Sequence, residues 1–244
     1  MTKDQLLAYS LAYEGETSRI RQAIMRNEPY EPISGVFSAI TILDDTYPDC
    51  LRTLRDPPYV LYYKGDLSLL RKEAISVVGS RMMLSYAETM TKALIGKLAQ
   101  RYVIVSGLAK GIDACAHIQG LHGVSTIAVL GCGINRIYPA ENKALYHQIE
   151  SQGLILSEYP DLAQPLKHHF PWRNRIVAAL GKALIVMQAD FKSGSMITVN
   201  EALDLGKEIY TIPYDLMRPE GQGCNLLIQQ GANMILCDED LMSI

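Results

Sequence analysis

The residues His168-His169-Phe170-Pro171-Trp172-Arg173-Asn174-Arg175 bring two large aromatic rings and two guanidiniums into one short stretch. No carboxylate occurs between Asp161 and Asp190, whereas Lys167, Arg173, Arg175 and Lys182 all fall there. Fixed positive charge beside aromatic faces is what a surface needs to hold a phosphate backbone and stack its bases. A solvated loop whose rings fold back into the core reads the same way in isolation. The rest of the chain decides between them.

Three glycine-bearing stretches favour an anion. Gly79-Ser80-Arg81 offers a backbone bare at its first position, a hydroxyl, and a guanidinium able to grip phosphate oxygens bidentately. Ser106-Gly107-Leu108-Ala109-Lys110-Gly111 joins a flexible turn to a lysine at a helix start, where unpaired amides favour negative charge. Ser193-Gly194-Ser195 is equally small and hydroxyl-rich, with Thr198 one turn into the next helix. Each glycine alone is explained by a plain strand-to-helix turn. Three such loops with the basic segment point to an anion site.

Other chemistries lack their residues. A Walker-type loop needs Gly-Lys followed by Ser or Thr, but Gly96-Lys97, Gly181-Lys182 and Gly206-Lys207 are followed by Leu, Ala and Glu. In Gly131-Cys132-Gly133-Ile134-Asn135-Arg136 an arginine stands where the dinucleotide fingerprint needs its third glycine. Gly194-Ser195-Met196 lacks the second glycine of a nucleophile elbow. Asp113 and His117, four apart, could be drawn as an acid/base pair, but a hydrogen-bonding role within the fold explains them better. Cys50, Cys115, Cys132, Cys224 and Cys237 are scattered without a Cys-x-x-Cys pair, which fits reduced thiols and no metal site. No cofactor is expected.

The elements that must position these loops follow a regular grammar. Short β-branched runs, at 75–78, 103–105, 126–130, 154–156, 183–187, 208–212 and 234–236, alternate with helical stretches, one of them opened by a Ser85/Glu88 capping box. This predicts an α/β, Rossmann-like, doubly wound and mostly parallel sheet, whose strand ends gather their loops at one crevice. An earlier strand, 59–63, is closed by Lys64-Gly65-Asp66. Residues 1–36 read as a small helical N-terminal appendage and 37–244 as the main domain. A net charge of −3 over 244 residues excludes a basic coat, so a nucleic-acid site must be a local patch. No apolar run approaches membrane-spanning length and no leader is evident, so a cytoplasmic location is expected.

The ordered motifs also carry a resemblance. Val78-Gly79-Ser80-Arg81, Ser106 through Asp113, Ala116-His117, Thr126 through Gly131, Tyr138-Pro139, Ser157-Glu158-Tyr159-Pro160, Phe170 through Ile176 and Ser193-Gly194-Ser195 occur in the order of the DNA-processing protein DprA (Smf) family. The likeness runs from about Ile42 to Ala232. It implies a homodimer that binds single-stranded DNA, protects incoming strands during natural transformation and helps load the RecA recombinase, with no established enzymatic role. By the same resemblance, Arg81, Lys110, Lys167, Arg173 and Arg175 would hold the DNA backbone, Phe170 would meet a base, and Asn174 would belong to the same site. Gly79, Ser80, Ser106, Gly107, Ser193, Gly194, Ser195 and Thr198 would line the crevice. The sequence departs from the family at Gln188, where glutamate is common, at Tyr214, which replaces a glycine, and at Gly181, which replaces a small polar residue. A shorter N-terminal piece than many relatives carry, and no C-terminal winged helix, are further departures. The stretch from Cys224 to Ala232 is apolar enough for a subunit contact or a core helix. The alternative function is a nucleotide or nucleoside-phosphate hydrolase of the lysine-decarboxylase-like type. Its Pro-Gly-Gly-x-Gly-Thr signature is represented here only by Ser193-Gly194-Ser195 with Glu201.

Overall fold

The computed structural model describes residues 1–33, 35, 37–161 and 163–244. The chain opens with helices α1 (Lys3–Ala12) and α2 (Thr17–Arg26), then β1 (Ala39–Thr41), α3 (Asp49–Arg52) and β2 (Val60–Gly65). The regular alternation follows: β3 (Ala74–Gly79), α4 (Ser85–Met90), a π-helical turn (Thr91–Ile95) leading into α5 (Gly96–Leu98), β4 (Val103–Ser106), α6 (Ile112–Leu121), β5 (Thr126–Leu130), α7 (Lys143–Gln152) and β6 (Leu154–Ser157). It continues through α8 (His169–Leu180), β7 (Ala183–Gln188), α9 (Ser195–Asp204), β8 (Glu208–Thr211), α10 (Gln222–Gln229) and β9 (Asn233–Met234).

The strands form one sheet in the order β1-β2-β6-β5-β4-β3-β7-β8-β9, parallel from β6 to β9, with β2 antiparallel to both its neighbours. Every residue of β4, β5, β6 and β7 is buried. Helices must therefore cover both faces of the central strands, which accounts for apolar runs in place of alternation. Crossovers carry the chain from β3 outward to β6 and, after α8, from β7 outward to β8. The connection order thus reverses between neighbours β3 and β7, and a crevice opens outside their carboxyl ends.

Several local expectations are corrected. The Ser85/Glu88 capping box does not form: the N-cap is Leu84, whose N–H donates to Gln188 Oε1 at 2.9 Å, and Glu88 pairs with Lys92 instead. The strand expected to close at Lys64 runs on through Gly65, whose φ of +94° and contact with Gly153 O suit only glycine. The last strand is shorter than expected, Asn233–Met234. The N-terminal helices form as expected and lie against the sheet: Tyr62 donates to Ser10 at 3.0 Å, and Thr17 donates to the buried Glu158. The boundary expected after residue 36 falls on Val36, outside the described residues. No helix among the described residues is long and apolar enough to cross a membrane.

Candidate nucleic-acid interface

The crevice at the β3/β7 switch point has a volume of about 760 Å³. Gly79, Ser80 and Arg81 enter it from the end of β3, and Ser193, Gly194, Ser195 and Thr198 from the start of α9. Lys167, Phe170, Arg173 and Asn174 complete it from α8 and the residues before it. A smaller recess of about 60 Å³ adjoins, lined by Gly107 and Lys110 and sharing Arg81, Phe170 and Arg173. The three glycine loops and the basic segment therefore do meet.

Close approach makes the first two loops and open space the third. A Cβ on Gly79 would stand 2.6 Å from Ile112, so glycine lets the first loop lie on the start of α6. The Ser80 N–H donates to Gln188 O at 2.8 Å, and the Ser80 hydroxyl closes a turn by accepting from the Met82 N–H at 3.1 Å. Gln188, 1% exposed, uses both ends of its amide here: it accepts from Leu84 N–H and donates to Met82 O at 3.1 Å. A glutamate could not make that donation while ionised, so the departure at this position fits the local pairing. At Gly194 a Cβ would meet nothing within 4 Å, which leaves open space at the amino end of α9. That end carries the positive pole of the helix dipole.

The floor is built from buried polar groups. Arg173 is 6% exposed and donates to Gly107 O at 2.7 Å and to Val129 O. It forms no ion pair among the described residues. Burial pushes its pKa down and the nearby Asp113 opposes that, while burial raises the Asp113 carboxyl above the usual aspartate value. A guanidinium stays charged regardless at neutral pH. Asp113 accepts from the N–H groups of Gly107 (3.2 Å) and Ala109 (3.3 Å), and Asn142 donates to Leu108 O and Ala109 O at 3.0 and 3.1 Å. His117 Nε2 accepts from the Leu108 N–H at 3.2 Å. Thr126 gives its hydroxyl proton to Ile104 O, so at 2.7 Å it accepts from His117 Nδ1. His117 is therefore a neutral ring in one tautomer, with burial lowering its pKa to about 3. Asp113 and His117 hold the 107–109 loop, as their fold-based reading expected.

Two expected site residues line neither the crevice nor its recess. Ser106 is fully buried and donates to Val77 O at 2.6 Å, tying β4 to β3. Arg175 is also buried: its Nη2 bonds both oxygens of Glu158 at 2.7 and 2.9 Å, Nε bonds Asp56 O, Nη1 bonds Trp172 O, and the guanidinium lies 4.3 Å from the Trp172 ring centroid. Arg81, Lys110 and Arg173, all expected there, share one recess, and Arg175 alone of the expected arginines turns away from it. Lys110 is exposed and paired with Glu141, whose carboxyl that bond holds below the usual range. Glu201, the carboxylate the hydrolase alternative needs, is outside the lining, and burial raises its pKa while the Arg175 charge opposes that.

One residue that sequence reasoning left without a role joins the site. Tyr138, 42% exposed, lines both the crevice and the recess, its ring centroid 5.4 Å from that of Phe170. Arg81 lies over the other ring of this pair, 5.8 Å from the Phe170 centroid. The Tyr138-Pro139 motif was visible, but nothing in its spacing indicated Phe170 as its neighbour. Among the described residues no three His, Cys, Asp or Glu side chains group as a metal site. The arrangement offers cations at two depths, a helix amino end, hydroxyls and a partly open aromatic pair.

A family model for DNA recombination-mediator protein A matches residues 38–244. DNA processing protein DprA of Streptococcus pneumoniae strain R6 is 43% identical over 208 residues, 85% of this chain and 74% of that protein. DprA of Bacillus subtilis strain 168 is 37% identical over 244 residues, covering 99% of this chain and 81% of the relative. Among solved structures, the X-ray structure of the S. pneumoniae DprA superposes with a TM-score of 0.83 at 36% identity, covering 99% of this chain and 93% of that one. The Helicobacter pylori DprA, solved for its single-stranded DNA binding mode, gives 0.77 at 34% identity over 85% of this chain and 95% of that one. Motif order, switch-point crevice and these matches agree, and the chain belongs to the DNA recombination-mediator protein A family.

Proposed function

We propose that this chain binds single-stranded DNA, largely without regard to sequence, protects it, and as a homodimer helps load the RecA recombinase on it during natural transformation. The convergence of Arg81, Lys167 and Arg173 with the Phe170/Tyr138 pair on one crevice carries the reading. Cations and helix amides take the backbone, which has no sequence code, and the rings take base faces that only an unpaired strand exposes. The single-stranded DNA binding described for the H. pylori relative supports the ligand. Family membership supports the recombination setting. The role is binding without catalysis: Asp113 and His117, the nearest acid/base candidates, are engaged with loop amides.

The test is fluorescence anisotropy of labelled oligothymidylate and duplex across a salt series, for wild type, Arg81→Ala and Lys167→Ala. Wild type is expected to prefer the single strand, and each variant to lower affinity and flatten the log–log salt slope by about 0.7. Unchanged affinity and slope in both variants would refute the crevice as the DNA site. The recombinase role is read separately, from RecA filament formation on the bound strand.

A further inference from the structure

The residues that leave the crevice lead to a second groove with its own aromatic surface. Arg81 and Met82 line the crevice, and Leu84, Ser85 and Tyr86 line a groove of about 490 Å³ closed on its other side by Pro213, Tyr214, Asp215 and Arg218. Met82 and Leu84 are two residues apart, so their backbones lie within roughly 7 Å, about two stacked nucleotide steps.

This groove is built. Tyr214 donates its hydroxyl to Met187 O at 2.6 Å, and Asn225 bonds both its N–H and its C=O at 2.9 Å. A Cβ at residue 221 would fall 2.0 Å from the Tyr214 ring, so only Gly221 admits it. Tyr86 stands edge-to-face on Tyr214, centroids 5.2 Å apart at 90°, and its hydroxyl donates to Pro213 O at 3.2 Å. Its ring is thus fixed while remaining 44% exposed. Asp215 and Arg218 put one charge of each sign on the rim, and Arg218 has no ion pair among the described residues.

We infer that this groove is a second pocket for a base of the same DNA strand, with Tyr86 as the stacking face. A fixed aromatic plane with one acceptor and one donor group and no net charge suits a neutral planar heterocycle better than a phosphate, which the neighbouring crevice serves. The inference rests on the single-strand reading above and extends its path past Arg81.

The experiment measures binding of the full chain to oligothymidylates of about 4 and about 12 nucleotides, within the range of single-strand site sizes. Tyr86→Ala is expected to weaken the longer oligonucleotide by roughly 5- to 100-fold and to leave the shorter within twofold. Tyr86→Phe should bind both as wild type does. Arg218→Ala should weaken the longer oligonucleotide alone and leave the salt slope unaltered, since its donor group meets a base edge and no phosphate, an independent readout should Tyr86→Ala fold poorly. If Arg81→Ala weakens both lengths while Tyr86→Ala and Arg218→Ala alter neither, the crevice stands and the second pocket is overturned. If wild type binds neither oligonucleotide, both readings fall.

Discussion

Arg173 and Arg175 are two residues apart on α8 and serve opposite ends of the molecule's economy of charge. Two helical residues are separated by roughly 200° of rotation, so the helix sends neighbouring cations to different environments. Phe170 and Arg173 share the crevice side, whereas Trp172 and Arg175, again three apart, face Glu158 and Asp56. On the crevice side the cation hydrogen-bonds, among the described residues, only carbonyls and Asn174, with the Asp113 carboxyl nearby but forming no ion pair with it, and its charge faces the ligand's side. On the other side it is consumed by a carboxylate that also accepts from Thr17 of α2. A basic segment in a sequence is thus half a binding surface and half an internal clasp.

The clasp should break hardest. Arg175→Met leaves Glu158, 3% exposed, without its partner, and is expected to cost about 3–5 kcal/mol in chemical denaturation. Adding Glu158→Gln should recover much of that loss. DNA affinity of the folded Arg175→Met protein, measured at low temperature, should match wild type; a large loss would return Arg175 to the binding side. The next effect belongs to the crevice floor and depends on pH. The folded pKa of His117, about 3, lies below its unfolded value near 6.5, so the unfolded chain binds the extra proton between them. This contribution is complete above about pH 6.5 and erodes as pH falls, by about 2 kcal/mol at pH 5. His117→Gln should be less stable at neutral pH and show a flatter stability profile from pH 6.5 to 5; an identical profile would remove His117 from the account.

How much of this was legible follows the same division. The parallel strands were readable because burial on both faces demands continuous β-branched runs, and the Gly79 and Gly107 loops because close approach to Ile112 or Arg173 admits no side chain. The convergence of those loops followed from the topology. Side-chain direction did not. Whether Arg175 or Arg173 faces the crevice depends on the phase of α8 and on Glu158, which lies 17 residues away in sequence. Ser106 reads as a loop hydroxyl, yet it is the last residue of β4 and bonds its neighbouring strand. The Ser85/Glu88 pair failed as a cap because the helix starts one residue early: Leu84 O already takes the Glu88 N–H, and Lys92 takes the Glu88 carboxylate. Tyr138 lacked a signal because its partner, Phe170, comes from the start of α8, distant in sequence.

The crevice side separates further into stacking and charge. Phe170→Ala removes one face of the Tyr138/Phe170 pair and should cost about 1–3 kcal/mol in single-strand affinity while leaving the salt slope unaltered, since no phosphate contact is lost. The smallest effect is expected at Lys110. Its charge is partly spent on Glu141, and both side chains are exposed, so Lys110→Ala should lower affinity less than Arg81→Ala does. The reverse experiment is sharper: Glu141→Gln frees the lysine and should strengthen binding about twofold at low salt. Near physiological salt the screening length falls to about 8 Å, and the gain should fade. A gain that persisted at high salt would mean that Glu141 acts through loop geometry, by letting Lys110 reposition the 107–110 turn, and not through its charge.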